Sequence, residues 1–394
     1  MSRALILDAV RTPRARVRRG GGTLAELSPA ELLAVVLREL TARGLRDDRV
    51  DDVIVGVSTV VGEQGGNVGR VAVMHAGWSD TVPAGVVSRL CGSGLDAIAS
   101  GAAQVRSGGA ELVVAAGVES MSRVPMLADR PAFAVDLAEG EATGFVSIGV
   151  SADAAAIRAG FTRTQLDEYG LRSQLRAGAA PAWESSIPVT TPSGVVLSHD
   201  EGARPDTTME SLAALQPLFA DDPLWERVER HLGITTGSDR GRHTIGTAPQ
   251  FSDAAAAIVL ASDAAAHEAG RAARGQVLGW GQAAVRSPGL EATVPASMKA
   301  LAHAGIRASD LSVIEVNESF AVTPLLLARE LGVSAELVNA HGGAIAVGHP
   351  LGACGGVLVA NALDQLRRKG GGYGLVVIPA ALGLATAVVI ESFA

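Results

Sequence analysis

Apolar residues fall into short runs separated by amphipathic stretches and turn residues. The run over 3–10 reads as a buried strand. Ser28-Pro29-Ala30-Glu31 carries helix-start chemistry: a capping serine, proline at the first helical position and glutamate three residues after the serine. The spacing predicts a helix from there to about Arg43, with Gly44 as its stop. A strand is predicted over 52–57, a helix over 67–76, and a strand from Ala84 to Leu90 that feeds a tight turn at Cys91. Ala97, Ile98, Ala102 and Val105 continue from that turn at helical spacing. Gly108-Gly109 ends this helix, and the apolar run over 111–117 fits a strand covered on both faces. Strand, helix and strand in this rhythm predict an α/β fold with a parallel sheet.

From residue 119 to about 243 the alternation is lost. Prolines, charges and irregular spacing take over, with helices predicted over 161–180 and 207–218. From Ser252-Asp253 an alanine-rich apolar run resumes, and from about Gly275 the first pattern recurs. Residues 91–117 lie on 354–380 at a constant offset of 263: Gly92 meets Gly355, Gly108-Gly109 meets Gly371-Gly372, and Leu112-Val113-Val114 meets Leu375-Val376-Val377. Val53-Ile54 meets Val313-Ile314 at an offset of 260. Blocks in the same order at similar offsets imply two similar halves. The expected division is an N-terminal half over 1–118 to which 244–268 returns, a loop domain over 119–243, and a C-terminal half over 269–394.

Composition narrows the class of protein. At 394 residues, with 48% hydrophobic and 3% aromatic residues and 47 glycines, the chain suits close helix–sheet packing across more than one domain. A net charge of -8 argues against a nucleic-acid partner. Two cysteines give no disulfide framework, so a reducing compartment, the cytoplasm, is expected. The longest apolar runs, over 112–118 and 375–382, are too short to span a membrane, and the acid in Ala4-Leu5-Ile6-Leu7-Asp8 is unlike a signal peptide. The cluster Arg11, Arg14, Arg16, Arg18 and Arg19 reads as a solvated loop, with binding of an anionic ligand as the other option.

Three stretches carry candidate chemistry. The first is Arg89-Leu90-Cys91-Gly92-Ser93-Gly94, which sets a thiol at a helix start. An isolated cysteine is commonly a small buried hydrophobe. At a helix N-terminus, however, unpaired N–H groups and the dipole favour the reactive thiolate. The second stretch is Glu315-Val316-Asn317-Glu318-Ser319-Phe320 at a strand end, where an amide and carboxylates are costly to bury without a purpose. The third is the glycine-rich loop from Asn339 to Gly352, which holds His341 and His349. A cysteine with a histidine suits nucleophilic attack on a carbonyl, with main-chain N–H groups as the oxyanion hole. The eight histidines and two cysteines show no CxxC or HExxH spacing, so no metal is expected. No GxGxxG follows the first strand, which leaves a dinucleotide site unsupported.

These stretches, with Asp8-Ala9-Val10-Arg11-Thr12-Pro13, Gly117-Val118-Glu119-Ser120-Met121-Ser122 and Arg204-Pro205-Asp206-Thr207-Thr208, resemble the thiolase family over essentially the whole chain. That family comprises acetyl-CoA acetyltransferases and 3-ketoacyl-CoA thiolases. The resemblance implies a five-layered αβαβα fold of two similar halves with an inserted loop domain, and a homodimer or homotetramer. It implies acyl-CoA and CoA as substrates and no cofactor. By the same resemblance, Cys91 is the nucleophile, His349 the base that activates it, and Asn317 the residue that holds a water in the oxyanion hole.

The chain departs from the family at one important position. Members usually carry a second cysteine in a Cys-Ile-Gly-Gly-Gly stretch, where it moves the α-proton during carbon–carbon chemistry. Here the run is Val377-Ile378-Pro379-Ala380-Ala381-Leu382-Gly383, and Pro379 stands at that position. His341 and Ser319 are the candidate substitutes, with His341 the better on pKa because serine is a poor base at neutral pH, and Cys354 reads as a packing residue. Two alternatives to a full thiolase follow: an acyl transferase or thioesterase without efficient carbon–carbon chemistry, and a non-catalytic acyl-CoA-binding subunit.

Overall fold

The computed structural model describes residues 2–237 and 240–393. Nine strands carry the fold: β1 (Ala4–Arg11), β2 (Asp52–Gly56), β3 (Ala84–Val87), β4 (Leu112–Ser120), β5 (Ser252–Ala261), β6 (Gly275–Ala284), β7 (Leu311–Val316), β8 (Gly372–Ala380) and β9 (Leu384–Ser392). They hydrogen-bond in the order β7-β8-β9-β6-β1-β5-β4-β2-β3, and the β1–β6 pair joins the two halves. Two short strands, Ala15–Arg18 and Gly21–Gly22, extend the sheet beside β5.

Helices on both faces of each half make five layers. Helix α1 (Pro29–Ala42) has the Ser28 capping box read from the sequence. Its Leu32, Leu33, Val36, Leu37 and Leu40 pack with α2 (Val68–His75) against Val53, Val55, Val114, Ala257 and Val259. The other face of those strands presents Ile54, Val113, Ala115 and Ile258 to α3 (Ser93–Ser107). Successive residues of one strand thus enter different cores, which explains the unbroken apolar runs. The loop domain contributes α4 (Ile148–Ala159) and α5 (Arg163–Gly178). On the C-terminal half, α6 (Thr293–Ala304) and α7 (Val322–Leu331) cover Ile314, Leu375, Val377 and Val389. Helix α8 (Cys354–Arg368) shares the middle layer with α3, between the two half-sheets.

The two middle helices meet backbone to backbone at their N-termini. A Cβ on Gly355 would lie 2.1 Å from Leu95 N, and one on Gly94 would lie 2.4 Å from Gly352 O. Any other residue at either position would force the helices apart.

Three expectations need correction. The sheet is mixed rather than parallel: β2 runs parallel to β3 and β4, and β7 to β8, while the other pairs are antiparallel. Strand β9 follows β8 through residues 381–383, far too few for a parallel crossover. Second, the helix expected over 207–218 is only Met209–Ala213, because Pro217 lies just beyond and disfavours helical backbone before it. Third, Arg11 and Arg14 are buried rather than solvated. Both bind Asp200, through Arg11 Nη1–Oδ1 at 2.8 Å and Arg14 Nη2–Oδ2 at 2.7 Å. Burial works to raise the Asp200 carboxyl, but the two guanidiniums hold it well below the usual carboxylate range. Among the described residues, no helix is long and apolar enough to cross a membrane.

Candidate active site

Strand β3 delivers the chain to the Cys91 turn. Leu90 takes a left-handed conformation, φ 51°, which costs energy in a residue with a Cβ. Ser93 Oγ braces the turn, donating to Leu90 O and accepting from Arg89 N at 2.9 Å. The result sets Cys91 ahead of the first turn of α3, 8% exposed.

The thiol differs from what its helix position suggests. Burial pushes it up to about 12, and the Glu119 carboxylate adds to this. The main-chain N–H groups of Cys91 and Ala381 bear on the sulfur and pull the other way, without prevailing. At rest Cys91 is a neutral thiol, so its thiolate has to be made by proton transfer. Main-chain N–H groups beside a thiol are donors of the kind that a developing oxyanion needs.

Glu119 is held in place by four donors: Ser58 N at 2.9 Å, Thr59 N at 3.2 Å, Gly352 N at 2.9 Å and Gln64 Nε2 at 2.6 Å. It therefore ties the end of β4 to the His349 loop.

His349 is 5% exposed, and its main-chain N–H donates to Gln250 O at 2.8 Å. Burial, then the charge of Arg14, lowers its pKa to about 3. The ring is thus neutral at physiological pH and able to accept a proton. Gly348 before it has φ 98°, and a Cβ there would lie 2.6 Å from Ser252 Oγ, so only glycine lets the loop close on β5.

Asn317 follows β7, with its N–H on Val377 O at 2.9 Å. Its Nδ2 donates to Ser319 Oγ at 2.8 Å and lies 3.4 Å from His349 Nε2. Its Oδ1 accepts from Cys354 Sγ at 3.1 Å. Neighbouring Glu318 is structural. It accepts from Tyr169 OH at 2.8 Å, Ser173 Oγ at 2.7 Å, Ile345 N at 3.0 Å and Asn339 Nδ2 at 3.1 Å, pinning the histidine loop to α5. That is the purpose of the carboxylate at this strand end.

The structure thus brings Asn317, Ser319, His349 and Cys354 together, and couples Cys354 electrostatically to Cys91. His341 keeps other company. Its half-buried ring meets Trp183 edge-on at 5.4 Å, and burial, then Arg368, Lys369 and Arg176, lowers its pKa. Pro379 sits near the end of β8, opposite Ala385. The β7–β8 ladder has already ended at Val316 and Val377, so proline costs no bond there.

Sequence reasoning missed the Ala381 N–H and the bond from Cys354. The repeat held a signal for the second, since it put Cys354 at the counterpart of Cys91, and the two helix starts meet.

Known proteins match this sequence along essentially the whole chain. The family described as "Thiolase, N-terminal domain" matches residues 4–223, and "Thiolase, C-terminal domain" matches residues 272–392. The chain belongs to the thiolase family. It is 37% identical to the beta-ketoadipyl-CoA thiolase of Pseudomonas knackmussii, over 99% of this chain and 100% of that protein. It is 35% identical to the 3-oxoadipyl-CoA/3-oxo-5,6-dehydrosuberyl-CoA thiolase of Escherichia coli K12 and 34% identical to the 3-ketoacyl-CoA thiolase of Bacillus subtilis, with the same coverage. The chain is an acyl-CoA acyltransferase of the thiolase type.

Proposed function

We propose that the chain carries acyl groups on Cys91 and acts on 3-ketoacyl-CoA, as its relatives' names suggest for them. Cys91 Sγ attacks the 3-keto carbon while its proton passes to His349. The main-chain N–H groups of Cys91 and Ala381 receive the oxyanion. The bond between C2 and C3 breaks, acyl-Cys91 forms, and the acetyl-CoA carbanion takes up a proton. The thiol of a second CoA then attacks the acyl-cysteine and releases a shortened acyl-CoA. Asn317, beside His349, orients that ring and the water between them and the substrate. The observation that carries this reading is a buried, neutral Cys91 thiol acted on by two main-chain N–H groups, beside Cys354, whose bond to Asn317 continues to a neutral His349 ring 3.4 Å from that amide.

Pro379 supports a second reading. Proline cannot protonate the carbanion, and general acid–base help is worth roughly 10²–10⁴-fold. A chain without it would keep acyl transfer and lose efficient carbon–carbon chemistry. Ser319, 2.8 Å from Asn317 Nδ2, is better placed than His341 to serve instead.

We assign residues 1–118 and 244–268 to one half, 119–243 to the loop domain and 269–394 to the other half. The protein works in the cytoplasm without a cofactor, as a dimer or tetramer. Among the described residues, strand β3 lies at the sheet's end with one side unpaired, and Val71 and Met74 on α2 are exposed, which suits edge-to-edge pairing of two copies.

The test is intact mass after incubation with acetyl-CoA. An acetyl group on Cys91 is expected, and its absence from the folded protein would sink the reading. Cleavage of a 3-ketoacyl-CoA with free CoA then separates the two versions. Light scattering reads the oligomer.

A further inference from the structure

We infer that Cys354 and Ser319 are positioning residues that hold the Asn317 carboxamide at both ends and fix which of its atoms faces His349. The inference rests on the acyl-transfer reading above. Cys354 Sγ donates to Asn317 Oδ1 at 3.1 Å, and Asn317 Nδ2 donates to Ser319 Oγ at 2.8 Å. All three residues are at most 2% exposed, so water does not compete for these bonds.

The thiol decides the orientation. A neutral thiol at this position offers a hydrogen, so it selects the oxygen end of the amide. Burial keeps that thiol protonated against the opposing charge of Arg14, with the nearby Cys91 and Glu315 acting in the same direction as burial. With Oδ1 so engaged, Nδ2 turns toward Ser319 and His349 Nε2. Turning the amide over would exchange the Sγ–H···Oδ1 bond for a weaker N–H···S contact, since sulfur is a poor acceptor.

The thiol is itself rigidly placed. Cys354 opens α8, and Gly355 beside it touches the backbone of Leu95. His349 precedes Cys354 in the same glycine-rich connection, and Gly352 between them is bonded to Glu119. The element that aims the base therefore also aims the amide next to it. In this account the second cysteine neither takes the acyl group nor moves the α-proton.

The experiment compares Cys354→Ser, which keeps a donor, with Cys354→Ala, which removes it. The readouts are kcat, KM and the amide orientation in atomic-resolution crystal structures. Cys354→Ser should stay within about threefold of the parent kcat. Cys354→Ala should lose roughly 10- to 100-fold in kcat with KM little changed, the scale of losing an orienting partner rather than a reacting group. Its Asn317 amide should turn or take two orientations. Full kcat in Cys354→Ala, or equal losses in both variants, would overturn the inference, as would an unchanged amide in Cys354→Ala. The crystallographic arm decides the matter even if the parent protein forms no Cys91 adduct, a result that would count instead against the acyl-transfer reading.

Discussion

The two halves place a cysteine at the same helix start and use it differently. Cys91 stands outside its helix, after a strained Leu90, under N–H groups from its own residue and from Ala381. Cys354 is the first residue of its helix, and its thiol is occupied by Asn317. On the proposed reading, a few residues of backbone path separate an attacking sulfur from a hydrogen-bond donor. The strands that follow also differ: β4 ends in Glu119, tied down by four donors, whereas β8 ends in Pro379-Ala380 and offers only the Ala381 N–H beyond. On that reading, one of the two similar halves supplies the nucleophile and the other much of its surroundings.

The sharpest way to break this asymmetry is Cys91→Ala. Turnover should fall by about 10⁴-fold or more, the scale of losing a nucleophile, and mass spectrometry should find no acyl adduct on Cys354 in compensation. An adduct there would make the two cysteines equivalent. Next comes His349→Ala, expected to slow acylation of Cys91 by roughly 10²–10⁴-fold. Because the ring is neutral down to about pH 3, acylation in the parent protein should not fall off around pH 6.5. A loss centred there would contradict the buried, neutral base.

Pro379→Cys tests the contrast between the strand ends. It should raise 3-ketoacyl-CoA cleavage by about 10²-fold or more, measured against acylation of Cys91, if the strand end limits the chemistry. The smallest effect is expected from His341→Asn. Cleavage should hold its rate, since the ring sits against Trp183 among cations, away from the paired helix starts.

Stability against pH should show both buried groups. His349 has a folded pKa of about 3 against a usual 6.5, so the unfolded chain gains a proton that the folded one refuses as pH falls below 6.5. Cys91, near 12 against a usual 9.0, keeps its proton when the unfolded chain loses it above pH 9. The denaturant midpoint should therefore decline on both sides of that window.

Much of the fold was legible because it depends on local patterns. The Ser28 capping box and the apolar runs over 52–57 and 111–117 have direct structural counterparts, while the recurrence holds at a smaller offset than 263: Ser93–Ser107 answers to Cys354–Arg368 at 261 and Leu112–Ser120 to Gly372–Ala380 at 260. Strand direction was not legible, since it depends on where the chain returns after the insertion and on the short turn at 381–383. Arg11 and Arg14 looked solvated because their partner, Asp200, is far away in sequence. At the site, the residue types of Cys91, Asn317 and His349 stood out in the sequence, while the thiol's protonation state did not. Helix position argued for a thiolate, and burial with Glu119 reversed it.

The sequence by itself determined the two-fold repetition, the interruption between its copies and the chemistry available at the Cys91 turn. Those follow from side-chain type and spacing, which are properties of the chain. Only the tertiary structure decided that the two helix starts touch through Gly94 and Gly355, that Cys354 reaches Asn317, and that His341 is drawn off to Trp183. These depend on distances between segments far apart along the chain, from 37 residues for Cys354 and Asn317 to 261 for Gly94 and Gly355. They depend equally on the loss of water around them, which sets whether a thiol or an imidazole holds its proton.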